Sequence, residues 1–116
     1  MPRWFPYAIG AALLYGLHQV FTKMAADKIG DGIGGFVVEA TAAVTIAVYL
    51  LYLWTSGHWN QTASAGGVFY SALTGVCVGI GTILFFLLFQ QGGPLSAVPM
   101  VLAGGTAALV GILFGL

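Results

Sequence analysis

Apolar residues come in four long runs, and most of the polar residues gather in the short segments between them. The runs cover residues 5–26, 34–54, 66–89 and 95–116. An α-helix needs about 20 apolar residues to cross a hydrocarbon core of about 30 Å, and each run has that length. Barrel strands would alternate polar and apolar positions over about ten residues, which these runs do not. The pattern predicts an all-α integral membrane protein, a bundle of four transmembrane helices in a single domain over residues 1–116.

The connections are short. Residues 27–33 (DKIGDGI) form a polar turn, residues 55–65 (TSGHWNQTASA) the longest loop, and residues 90–94 (QQGGP) a link whose glycines can end one helix before Pro94 opens the next. Links of this length make sequential helices antiparallel neighbours. Trp4, Phe5, Tyr7, Tyr52, Trp54 and Trp59 fall at one boundary, where aromatic rings favour the headgroup level. The apolar stretch behind Arg3 exceeds the roughly 7–15 residues of a signal-peptide core, so it reads as a retained span.

Composition strengthens this picture. The chain is 59% hydrophobic and 5% charged, with a mean hydropathy of +1.00, whereas soluble domains carry roughly 25% charged residues. Three Lys/Arg balance three Asp/Glu. That leaves no basic footprint for nucleic acid and no polybasic patch for anionic lipid. The charge bias between the two sides is slight, Arg3 against Lys23 and Lys28, and leans toward a cytoplasmic Lys23/Lys28 loop. The one cysteine, Cys77, excludes an internal disulfide.

Few residues inside the runs can carry chemistry. Glu39 falls about five residues inside the second helix, or roughly 7 Å below its boundary. Lys23 falls at similar depth near the end of the first helix, so the two can meet across the hairpin. Alternatively Lys23 extends its ammonium to the headgroups. A buried charge needs a partner or a wet cavity, which makes Glu39 a candidate for pairing or, more narrowly, for proton coupling. Tyr15, His18, Gln19, Thr22 and Lys23 give the first helix a polar sector suited to lining a cavity or hydrogen-bonding another helix. No second His or Cys stands at metal-ligand spacing, so neither a metal nor a cofactor is expected. Nothing in the motifs points to an enzyme. Asn60-Gln61-Thr62 fits the N-glycosylation pattern, a triplet common by chance.

Small residues recur at packing intervals: Ser71, Gly75 and Gly79 on the third helix; Gly104, Ala108, Gly111 and Gly115 on the fourth. Such faces bring helix backbones close together, either within the chain or against a second one. Pro99, one turn inside the fourth expected helix, frees a carbonyl there.

The stretch Ala11-Ala12-Leu13-Leu14-Tyr15-Gly16, followed by Val20-Phe21-Thr22-Lys23-Met24-Ala25, resembles the EamA-like domain of the drug/metabolite transporter superfamily. The link from Gln90 through Pro94 to Pro99 is similar to that family's passage into a helix beginning with Ser/Ala and a proline. The likeness covers nearly the whole chain through short, degenerate motifs. It implies a small transporter half in a bacterial or archaeal plasma membrane, working as a dimer. Tyr15, His18, Gln19, Lys23 and Glu39 would contact a small metabolite or drug-like solute. Many members carry an arginine at the Glu39 position, and a complete unit has a further helix beyond the segment that reaches Leu116 here. The similarity to four-helix small multidrug exporters is looser, because the glutamate they carry in their first helix is missing here, where that helix offers His18 and Lys23 instead. The competing expectation is a non-transporting accessory subunit packed against a larger membrane complex.

Overall fold

The computed structural model describes residues 2–115, with only the backbone of Val101. Those residues form four α-helices: α1 (Phe5–Ala26), α2 (Asp31–Thr55), α3 (Ala65–Gln90) and α4 (Ala97–Phe114). No strand occurs among them. Three of the helices, α2, α3 and α4, are long and apolar enough to cross a membrane. α1 has 22 residues, but Tyr7, Tyr15, His18, Gln19 and Lys23 dilute its hydropathy.

The boundaries follow local chemistry. α2 starts at Asp31, three residues ahead of the apolar run, because a carboxylate in the first turn suits the positive end of the helix dipole. Gly30 precedes it in an extended conformation, and the Gly34 N–H donates to the Gly30 carbonyl at 2.7 Å. α4 starts at Ala97, two residues later than the hydrophobic pattern indicates, after a tight turn in which Ala97 N–H donates to the Pro94 carbonyl. Pro99 therefore stands in the first turn of α4, where a helix has no intrahelical acceptor for its N–H groups. The expected freed carbonyl does not arise. Gly115 ends α4 at φ 66°, and Leu116 lies outside the described residues.

The chain divides into two compact units. The first comprises residues 1–28 and 88–116, thus α1, α4 and the last residues of α3; the second comprises residues 29–87, with α2 and the rest of α3. In the first unit, the C-terminal end of α1 is capped by side chains and turn backbone. Lys28 Nζ donates to the Met24 carbonyl at 2.9 Å, Lys28 N–H to Ala25 at 2.8 Å, and Gln90 Nε2 to Ala26 at 3.0 Å. These are among the last four carbonyls, which a helix leaves without internal donors. The buried positions of α1 are Gln19, Thr22 and Ala26, spaced as one helical face.

In the second unit, α2 and α3 pack together where α2 has no side chains. Gly34 and Gly35 are both buried, and the Phe86 ring, 1% exposed, lies over Gly34. A Cβ on Gly34 would stand 2.7 Å from Phe86 Cε1 and 3.0 Å from Ile29 Cγ2. At Gly35 it would meet Ile83 Cγ1 at 3.4 Å. Gly75, Gly79, Gly104 and Gly111 are different: a Cβ at any of them meets nothing within 4 Å. Most of the apolar surface of α2 and α4 is likewise uncovered, only 6% of each helix's most apolar stretch being buried.

Gly34→Ala is expected to destabilise the fold by about 1–3 kcal/mol, the range for overpacking a filled interior. Gly104→Ala meets no neighbour and should be neutral or mildly stabilising, by up to about 1 kcal/mol from helix propensity. Denaturant unfolding of both variants in the same detergent, followed by circular dichroism, compares them directly.

Candidate functional site

The second unit holds Glu39 two turns into α2, on a half-buried position among Val, Ala and Gly. Thr82 of α3, 4% exposed, donates its hydroxyl to Glu39 Oε1 at 2.7 Å. That distance is an ordinary O–H···O hydrogen bond. Beside it, one turn before Glu39, Thr82 Cγ2 and Ile83 pack over Gly35 at 3.8 and 3.4 Å from the place a Cβ would take.

The first unit holds the polar sector of α1. Thr22 donates to the His18 carbonyl at 2.8 Å, which satisfies its hydroxyl within the helix. Tyr15 stacks obliquely toward the His18 ring, centroids 6.2 Å apart. His18 Nδ1 and Gln19 Oε1 are both sealed from solvent without a hydrogen-bond partner, and Gln19 as a whole is 9% exposed. A buried polar atom left this way costs about 1–3 kcal/mol. Lys23 directs Nζ to the Gly93 carbonyl at 3.4 Å and lies over the Phe89 ring, 5.7 Å from its centroid. That gives its ammonium one acceptor and one π face at the C-terminal end of α1, where the dipole also favours a cation.

The expected candidates thus fall into two sets. Tyr15, His18, Gln19 and Lys23 belong to the first unit and Glu39 to the second, and Lys23 and Glu39 each find a hydrogen-bond partner inside their own unit. Thr82, Gly34, Gly35 and Gln90 were not singled out by the sequence pattern. A signal for Thr82 exists, since it continues the small-residue face of Gly75 and Gly79 at helical spacing and leads on to Phe86. Two open hollows in the second unit, one beside Ala47, Leu51, Trp54 and Trp59 and one beside Ser64, Gly67 and Ser71, lie toward the 55–65 loop rather than beside Glu39.

The turn after α1 carries an ion pair, Lys28 Nζ to Asp27 Oδ1 at 3.1 Å, with both side chains exposed. The Lys28 hydrogen bond, then its charge, holds the Asp27 carboxyl below its ordinary value of 3.8. Compared with known proteins, the chain matches no family model, no curated sequence and no solved structure.

Two outcomes follow from these contacts. Lys28→Met should return the Asp27 titration midpoint upward toward 3.8, as read by carboxyl NMR in micelles. Because the native value is depressed, the pair's contribution is present above the unfolded value and lost as pH falls through the native one. Gln19→Met, which replaces a side chain whose sealed Oε1 lacks a partner by an apolar chain of similar shape, should raise thermal stability in detergent without solute. A lower melting temperature would mean that Gln19 is partnered after all.

Proposed function

We infer that this chain is a small membrane transport protein of the drug/metabolite-transporter type, half of a carrier that works as a dimer on a small metabolite or drug-like solute. The observation that supports this reading is a carboxylate, Glu39, placed within an apolar helix and held by a single hydroxyl from the next helix. Ionisable residues within membrane spans are costly and mark solute or ion pathways by default. The sealed, unpartnered atoms of His18 and Gln19 point the same way, because they offer hydrogen bonds that a solute or water can complete.

In this reading all four helices cross the bilayer, including the more polar α1. Two copies then alternate access by rocking against one another, as transporters built from repeats do. Glu39 biases the two states through what it binds. A carrier of this kind sits as a multi-pass protein in a bacterial or archaeal plasma membrane and needs no cofactor.

A second reading is favoured by the uncovered surfaces. The glycine face of α4, with Gly104 and Gly111 open to 4 Å, and the bare apolar flanks of α2 suit docking against the helices of a larger complex. Here the chain is an accessory subunit that moves nothing itself.

Native mass spectrometry of the protein extracted gently from its host membrane separates the two. A homodimer of 12.0 kDa chains is the expected result, and a stable foreign partner would replace the carrier reading by the accessory one. In the homodimer, Glu39→Gln should abolish solute flux while the chain still folds. Unchanged flux would remove Glu39 from the mechanism.

A further inference from the structure

Four of the threonines in the helices share a habit. Thr22, Thr45, Thr55 and Thr74 each donate the hydroxyl to the backbone carbonyl four residues earlier, at 2.8 to 3.0 Å. This is the ordinary resting place of a threonine in an apolar helix, since it satisfies the donor without leaving the helix. Thr82 departs from it. Its hydroxyl turns away from the Val78 carbonyl, the equivalent acceptor, and crosses to Glu39 Oε1.

We propose that Thr82 is a positioning residue for Glu39, a hydroxyl with two stations: the Glu39 carboxylate in this conformation, and the Val78 carbonyl when Glu39 is engaged by a solute or a proton. The proposal rests on the reading of Glu39 as the group that couples the carrier's states. A change of χ1 carries a threonine hydroxyl between two such stations, and threonine in a helix divides between two χ1 rotamers. The swap leaves no donor unsatisfied at either station, so the hydroxyl releases Glu39 without a buried orphan of its own. The same rotation swings Thr82 Cγ2, now 3.8 Å from the place a Gly35 Cβ would take, because both groups hang from Cβ.

Within the second unit the other ionisable side chains are Asp31, Tyr49, Tyr52, His58, Tyr70 and Cys77. None of these hydrogen-bonds to Glu39 in the structure. Asp31 and Tyr49 lie eight and ten residues away along α2, or about 12 and 15 Å at 1.5 Å per residue. Among the side chains of its own unit, Thr82 is therefore the group set to orient the carboxylate.

The test uses the full chain in detergent and the hydrophobic reagent N,N′-dicyclohexylcarbodiimide. A carboxyl group gives its proton to one nitrogen of this reagent and bonds through oxygen to its central carbon, and the adduct rearranges to a stable N-acylurea. Peptide mass spectrometry then reads the rate of modification at Glu39. Thr82→Val keeps the methyl contact with Gly35 and removes the donor; Thr82→Ala removes both; Thr82→Ser keeps the donor and loses the methyl. The Val and Ala variants should be modified about tenfold faster than wild type, the factor for losing a hydrogen bond to a charged group. The Ser variant should react at the wild-type rate. Wild-type rates in Val and Ala would overturn the proposal, as would a Ser variant as fast as Val, which would trace the effect to packing. Absence of the adduct in every chain overturns it too, because a hydroxyl that exchanges must leave the carboxyl reactive part of the time. The readout needs no solute, so it stands apart from the flux result with Glu39→Gln.

Discussion

The contact between α2 and α3 depends on an absence, the missing side chain of Gly34, with Gly35 packed beside it. Two helices surrounded by apolar material gain little from hydrophobic association, and close backbone approach supplies van der Waals contact instead. With Phe86 lying over one glycine and Ile83 over the next, the interval between the helices is fixed within the reach of a short side chain. Only then can a threonine on one helix bond a glutamate on the other at 2.7 Å. Packing thus precedes the polar contact and determines its length.

The first unit solves a different problem with longer side chains. The end of α1 leaves carbonyls that apolar surroundings cannot satisfy. Lys28 and Gln90 supply donors, one from the following turn and one from the end of α3. Lys23, near the same helix end, is held by a carbonyl and a ring. Two of the chain's three basic residues thus serve backbone carbonyls as hydrogen-bond donors.

Much of the fold was legible in the sequence. The four helices lie within a few residues of the apolar runs, because period and length are direct consequences of burial in an apolar medium. The start of α4 was not, since Pro94 and Leu95 look as apolar in a turn as in a helix. The site was legible in its ionisable half. Glu39 stood out because charge is rare in such a segment, whereas Thr82 did not, because threonine is ordinary in one. Glycine faces were visible, yet the close helix contact seen in the second unit is at Gly34 and Gly35, where two adjacent glycines break the four-residue spacing. Spacing marks small residues; only the neighbouring helix shows which of them are used.

The capped end of α1 has a mechanical consequence. Three consecutive carbonyls at Met24, Ala25 and Ala26 are all occupied, one of them by a side chain from α3. At the other end, the Trp4 side chain makes no capping bond, and Tyr7 stands well exposed. Of the two ends of α1, the one at Ala26 is the one held by donors from outside the helix, and it is the natural pivot for any tilt. His18 and Gln19 sit farther from it along α1, so a small tilt about that point carries them farther than it carries Lys23.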